Sequence, residues 1–284
     1  MRDDFAVFIL THGRPDNVIT YHTLEQMGYK GRVYLVIDNE DDKADEYYRV
    51  FGKDKVIMFD KPKIAKEFDT VDNDENRKTV VYARNACFNI AEDLGLTYFL
   101  ELDDDYDQFR GRMQKGDKLT SFKLTDINIL FNLMINFLEK SNALTVAFAQ
   151  GGDFIGGIGS NVWTRQLARK AMNTFFCKTS RRFDFIGRIN EDVNTYTTRG
   201  MKGDLMFTVA NVMMNQMTTQ ANEGGMTDIY LDSGTYVKSF FTIIVAPSCT
   251  RISTMGNKFR RIHHKILWNK CTPMILNERY KKRD

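Results

Sequence analysis

The sequence predicts an α/β fold with a mostly parallel sheet flanked by helices. Two observations carry this. Short apolar runs, FAVFIL (5–10), RVYLVID (32–38), KVIMF (55–59) and TYFLELD (97–103), read as strands buried on both faces. Segments with helical spacing or polar character lie between them, and parallel crossovers require that alternation. The 284 residues, 43% hydrophobic and 12% aromatic with four prolines, supply enough core for one large domain and argue against gross disorder.

The elements follow in order. FAVFIL ends at THGRP, a loop. VITYHTLEQMGY (18–29) has helical spacing with Gly28 as a stop signal. After the second strand, DDKADEYYRVF (41–51) is a polar helix ended by Gly52, and KVIMF is the third strand. Residues 60–78 are highly charged and without period, which predicts a long surface loop. TVVYARNACFNIAEDLGL (79–96) is an amphipathic helix leading into the fourth strand. TDINILFNLMINFLEKS (125–141) is a helix capped by Thr125 or Asp126, and ALTVAFA (143–149) a strand. A glycine-dense segment, QGGDFIGGIGSNVWTR (150–165), follows. A helix is expected to begin near Glu191, with strands at 204–210 and 239–247. The tail from Gly256 is basic and reads as a helical extension. The expected division is a main domain over 1–240 and a C-terminal extension over 241–284 that packs on the active site as part of one unit.

Net charge is +3, mildly basic and short of a dedicated nucleic-acid binder. Cys87, Cys177, Cys249 and Cys271 lack metal-ligand spacing and do not form a secreted disulfide framework. MRDD leads straight into a short apolar run, so no signal peptide is expected. No apolar stretch approaches the roughly 20 residues that span a bilayer. A soluble, cytoplasmic protein is the expectation.

FLELDDDYDQF (99–109) breaks an apolar strand with Asp103, Asp104 and Asp105. Asp103 and Asp105 are two apart, so on extended backbone they point the same way, and Asp104 points the other. Carboxylate oxygens suit Mg²⁺ or Mn²⁺, and Mg²⁺ is commonly held by one or two carboxylates together with substrate phosphates. A solvated acidic turn is the alternative. Position favours a site, because open sheets bind ligands beyond the carboxyl ends of their strands. Arg84 lies on the preceding helix, within reach of a diphosphate. Glu191 and Asp192 form a second acidic pair, which reads either as a functional pair or as charge complementing a helix N-terminus.

The ordered set ARNACFNIAEDLGLTYFLELDDD, GGIGSNVWTRQ and EDVNTYTTRGMKG resembles the GT-A nucleotide-sugar glycosyltransferases over about residues 5–203. FILTHGRPDN, VIDNEDD and RRIHHKILWN look like the phage TET-associated enzymes that glycosylate hydroxymethylated pyrimidines of DNA. The resemblance implies a metal-dependent glycosyltransferase with a DxD motif, Mn²⁺ or Mg²⁺, a UDP-sugar donor and a DNA acceptor. Thr11, Gly13 and Arg14 match the donor-gripping end of the first strand; for Arg14 the alternative is a turn before Pro15. Asp38 matches the carboxylate set against base or ribose, with Asn39 and Glu40 as substitutes. Asp103 and Asp105 match the metal ligands, Asp105 the firmer, and Asp104 turns into structure or toward the ribose. Asp192 matches the general base, and Glu191 orients the acceptor or caps a helix. Gly156, Gly157 and Gly159 allow close approach to the sugar. Asn161, Trp163 and Arg165 match the acceptor loop, with Trp163 either stacking or in the core. His264, or His263, matches a C-terminal metal ligand; surface histidines are the alternative.

Lys258, Arg260, Arg261, Lys265, Lys270, Arg279, Lys281, Lys282 and Arg283 concentrate positive charge at the C-terminal end. They track a DNA backbone, close over the diphosphate, or form a solvated tail. The rival functions are transfer to polysaccharide or protein, a non-catalytic nucleic-acid-binding accessory protein, and a two-metal nuclease.

Overall fold

A computed structural model describes residues 1–72, 75–216, 226–256, 260–273, 278 and 281–282, with backbone alone for 226–235. Lys258, Arg279 and Arg283 lie outside the described residues. In chain order the elements are β1 (Phe5–Leu10), α1 (Ile19–Gln26), β2 (Arg32–Asp38), α2 (Ala44–Phe51), β3 (Val56–Phe59), α3 (Lys61–Ile64), α4 (Val81–Asp93), β4 (Tyr98–Asp103), β5 (Tyr106–Lys115), β6 (Lys118–Lys123) and α5 (Ile127–Ser141). Then come β7 (Thr145–Gln150), α6 (Asn161–Arg165), β8 (Leu167–Ala168), β9 (Thr174–Lys178), α7 (Glu191–Met201), β10 (Met206–Gln216), α8 (Met226–Val245), β11 (Thr250–Met255) and β12 (Arg261–Ile266).

The sheet runs in the order β3-β2-β1-β4-β9-β7-β10-β5-β6, with β8 pairing off β10. β3, β2, β1 and β4 are parallel neighbours, as are β7 and β10; β9, β5 and β8 run against them. The α/β class expected from the alternating pattern is therefore the observed one. β1 is buried at every position, which explains its unbroken apolar sequence. In β4 the two-residue period sends Leu100 and Leu102 to one core and Phe99 to the other, so the sheet is covered on both faces.

Phe131 of α5 is the meeting point of the first core. Its ring contacts those of Phe5, Tyr29, Phe109, Phe148 and Phe176 at 5.4–6.4 Å, and the residue is fully buried. Asp126 caps α5 by accepting from Asn128 N and Ile129 N. Phe131→Ala is expected to lower stability by about 3–5 kcal/mol in urea denaturation, through lost burial and the cavity it leaves.

Three expectations are corrected. The charged stretch after β3 is not all loop, because Asp60 accepts from Lys63 N and starts α3. Residues 239–247 are not a strand: 226–245 form α8. Their β-branched and aromatic composition suggested a strand, but burial recurs at Ser239, Thr242 and Ala246, near helical spacing. Nor do the described residues of the C-terminal extension beyond α8 form an α-helix. Its described part beyond α8 is the antiparallel hairpin β11–β12, and a short 3-10 turn at Trp268–Lys270. In β12 the exposed Arg261 and Lys265 share one face and the buried His264 lies on the other, which suits period two. β5, β6 and β9 also complete the sheet without having been expected. The boundary drawn at residue 240 falls inside α8. All four cysteines are free and buried. Among the described residues no helix is long and apolar enough to cross a membrane.

Candidate functional site

The carboxyl ends of β1, β2 and β4 converge, and their following residues are bonded together. Thr11 Oγ1 donates to Asp104 Oδ2 at 2.7 Å and shares a 2.8 Å hydrogen bond with the Tyr47 hydroxyl. Arg14 Nη2 lies 3.2 Å from Asp104 Oδ1, and Arg14 N donates to Tyr47. Asp104 is thus buried against the end of β1, turned away from Asp103. Burial raises its pKa, against the pull of Arg14. α1 fixes the backbone of the acidic turn. Thr20 Oγ1 donates to Asp103 O at 2.6 Å and accepts from Tyr106 N at 2.9 Å, while Thr20 N donates to Asp104 O.

Asp103 is held from the other side. Arg84, 1% exposed, donates from Nη2 to Asp103 Oδ1 at 2.9 Å and from Nε to Glu191 Oε1 at 3.0 Å. Its Nη1 lies 3.6 Å from Glu101 Oε2, and the guanidinium stacks on Phe175 at 4.8 Å. The side chain is therefore engaged by carboxylates through Nε and Nη2, while Nη1 makes no hydrogen bond among the described residues. Its placement joins the strand-end acid to the start of α7. Asn85 secures the segment before α7: it donates to Phe185 O and accepts from Phe185 N.

Glu101 points to the same face as Asp103, two residues earlier, and is fully buried. Neither of its oxygens has a hydrogen-bond partner among the described residues. Burial pushes its carboxyl up to about 8, against the attraction of Arg84. The folded state therefore holds a proton that the unfolded chain, with an ordinary value near 4.5, releases. Its contribution to stability is full below about pH 4.5 and lost as pH rises through about 8. Glu101→Gln is expected to flatten this part of the pH–Tm profile between pH 5 and 8.5.

Asp105 has one carboxylate oxygen, Oδ1, that is buried and unpartnered among the described residues. Burial, then Asp103 and Asp104, push its pKa up to about 7. An acidic turn with a buried orphan oxygen fits a hard divalent cation as counter-charge. Gln216 of β10 lies 3.5 Å from its other oxygen.

α7 begins at Glu191 after Asn190, which takes a left-handed conformation with φ 56°. Burial, then Asp192, push the Glu191 pKa up to about 7, against Arg84. Asp192 is buried, which raises its pKa too, and its Oδ1 accepts from Val193 N at 2.7 Å.

At the end of β2, Asp38 is saturated. Oδ2 meets His12 Nδ1 at 2.9 Å and the buried Lys61 Nζ at 3.1 Å, and Oδ1 accepts from Glu40 N. Its pKa is lowered: His12 and Lys61 outweigh burial, the largest single influence. Gly13, with φ 72°, donates its N–H to Asp41 Oδ2 at 2.7 Å. Sequence reasoning missed His12, Tyr47, Lys61, Thr20 and Glu101. A charged Glu inside an apolar strand was the one visible signal among them.

In the glycine-dense loop, Gly156 and Gly157 take positive φ of 97° and 61°. Asn161 and Arg165 are exposed on α6. Trp163 is buried among Phe154, Val162 and Met213, and donates Nε1–H to Gln114 Oε1 at 3.3 Å. It anchors the loop from the core, in keeping with the packing alternative. His264 is buried, with Nδ1 unpartnered among the described residues; burial, then His263, lower its pKa to about 4. His263 stacks on it at 4.4 Å. Among the described residues no three or more His, Cys, Asp or Glu side chains are grouped to hold a metal, so neither histidine joins Asp103 and Asp105 in such a cluster.

Comparison with solved structures finds likenesses at low identity and low TM-score. Glucosyl-3-phosphoglycerate synthase from Mycobacterium tuberculosis, in complex with Mg²⁺ and uridine diphosphate, is 8% identical with TM-score 0.47. The match covers 92% of this chain and 87% of that one. GalNAc-T7 with UDP, GalNAc and Mn²⁺ is 11% identical with TM-score 0.40, over 86% of this chain and 48% of that one. No curated relative matches the sequence. Likenesses this distant leave assignment to the sequence itself. There the model of one family, the TET-associated glycosyltransferases, matches residues 5–225, from β1 through the acidic turn and α7 to beyond β10, and the chain belongs to that family of glycosyltransferases.

Proposed function

We propose that the protein moves a sugar from a nucleotide-diphosphate donor, with UDP-sugar favoured, to the hydroxyl of a 5-hydroxymethylpyrimidine in DNA. The observation that carries this reading is the buried Arg84 bridge between Asp103 and Glu191. It sets a candidate metal-and-diphosphate site next to a candidate base. Asp103 and Asp105 would hold Mn²⁺ or Mg²⁺, which when bound neutralises charge gathering on the departing nucleotide. The rim of Thr11, Gly13 and Arg14 receives the nucleotide, and Asp38 keeps His12 and Lys61 in place there.

Asp192 takes the proton from the acceptor hydroxyl as that oxygen bonds to the anomeric carbon. The bond from that carbon to the diphosphate oxygen breaks, and the nucleoside diphosphate leaves. A raised carboxylate pKa suits this role, because a base works best with a pKa near the working pH. Glu191, tied to Arg84, orients the site. Asn161 and Arg165, exposed beside the glycine-rich loop, face the acceptor. A base-borne hydroxymethyl group sits in the major groove, so the enzyme reaches in or extrudes the base.

The test is a transfer assay with UDP-sugars and Mn²⁺ or Mg²⁺, comparing hydroxymethylated DNA, unmodified DNA and a polysaccharide. Sugar incorporated only into hydroxymethylated DNA supports the reading. Transfer confined to polysaccharide overturns the acceptor.

A further inference from the structure

The hairpin β11–β12 carries an unfavourable pairing that no carboxylate among the described residues relieves. Arg251 stands directly opposite Lys265, and like charges so placed on a ladder repel. Arg261 shares their face by the two-residue period of a strand. All three residues are exposed, and none forms an ion pair among the described residues; Arg261 meets only the Met255 sulfur, at 3.8 Å.

The hairpin's other face is fixed to the body of the protein. His264 and Thr250 are buried, and Ser239 Oγ of α8 donates to Ile262 O at 3.0 Å. α8 in turn grips the residue before the acidic pair: Asn190 Nδ2 donates to Lys238 O at 2.6 Å and to Thr242 Oγ1 at 2.9 Å. The same helix exposes Tyr236 and Phe240, 60% and 45% accessible and one turn apart. A cationic ribbon is thus anchored rigidly to the Asp192 end of α7, with exposed aromatic rings on the helix that carries it.

We propose that Arg251, Arg261 and Lys265 form a track for the phosphate backbone of the nucleic-acid acceptor and seat it beside Asp192. This rests on the DNA acceptor proposed above. Repulsion kept across a ladder is relieved when a polyanion lies along it, and counterion release then drives binding. A second cationic hairpin, β5–β6, pairs Lys115 with Lys118. There β6 is the edge of the sheet, where lysines serve to block edge-to-edge association. It therefore provides a matched control.

The test compares Arg251→Glu with Lys118→Glu, each changing net charge by the same amount. Arg251→Glu turns a repelling pair into an attracting one, so its Tm should hold or rise, and lost binding cannot be ascribed to unfolding. By fluorescence anisotropy, its affinity for a hydroxymethylated duplex should fall about tenfold near 0.1 M salt. The slope of log affinity against log salt should fall by about one. KM for that DNA should rise while kcat holds, and Lys118→Glu should match wild type in each readout. Wild-type affinity and slope in Arg251→Glu would overturn the track, as would an equal loss in Lys118→Glu. If the wild-type protein transfers sugar to a free hydroxymethyl nucleoside but neither binds nor modifies DNA, the acceptor reading fails and the track with it.

Discussion

Asp105→Ala is expected to lower sugar transfer about a thousandfold and to remove the dependence of UDP binding on Mn²⁺. The scale follows from losing about 4 kcal/mol of charge stabilisation at the leaving diphosphate. The geometry gives the reason for choosing this residue. Asp103 is bonded to Arg84 and Asp104 to Thr11 and Arg14, whereas one oxygen of Asp105 is buried without a partner among the described residues. Fold stability should hold or rise, since burial and two neighbouring carboxylates push its pKa up to about 7. In the absence of metal the ionised form is destabilising as pH rises through about 7, and the substitution removes that penalty. Rate loss without loss of Tm, read in one titration series and one melting series, is the expected signature. Loss of Tm with UDP binding intact would make Asp105 a structural residue.

Asp192→Asn should lower kcat about 10²–10⁴-fold while leaving UDP affinity near wild type. Asparagine preserves the shape and the acceptor oxygen toward Val193 N, but it cannot take the hydroxyl proton. The wild-type pH–rate profile should carry the mark of the same group. The base acts ionised, so kcat/KM rises as pH climbs through its pKa. Burial raises that pKa, so the acid limb should lie above the ordinary carboxylate range. Glu191, pushed to about 7, titrates beside it, and the limb reports the pair. Asp192→Asn should flatten the limb. An unchanged rate and limb would remove Asp192 from the chemistry.

Much of the frame was legible in sequence because buried parallel strands leave an unbroken apolar signature. β1, β2, β3 and β4 each carry one, and the acidic triplet announced itself by ending the last of them. The alternation of strand side chains also anticipated that Asp104 would turn away from Asp103. What stayed hidden depends on contacts distant in sequence. Arg84 meets Asp103 19 residues on and Glu191 107 residues on, so no local pattern could show this buried bridge. His12 acquires its role through Asp38, 26 residues away, and Asp41. Composition misled at α8, where aromatic and β-branched residues occupy a helix whose burial repeats at helical spacing. The hairpin β11–β12, where a helix was expected, depends on cross-strand pairing that a basic composition does not reveal.

The central claim, that the strand-end acids anchor a metal-bound nucleotide, is most directly tested by anomalous diffraction from crystals soaked with UDP and MnCl₂. The account predicts a manganese peak at the Asp103 and Asp105 carboxylates, with the diphosphate beside it and the nucleoside toward Thr11 and Arg14. A peak at His263 and His264 alone, or nucleotide bound with no manganese at the acidic turn, would contradict it.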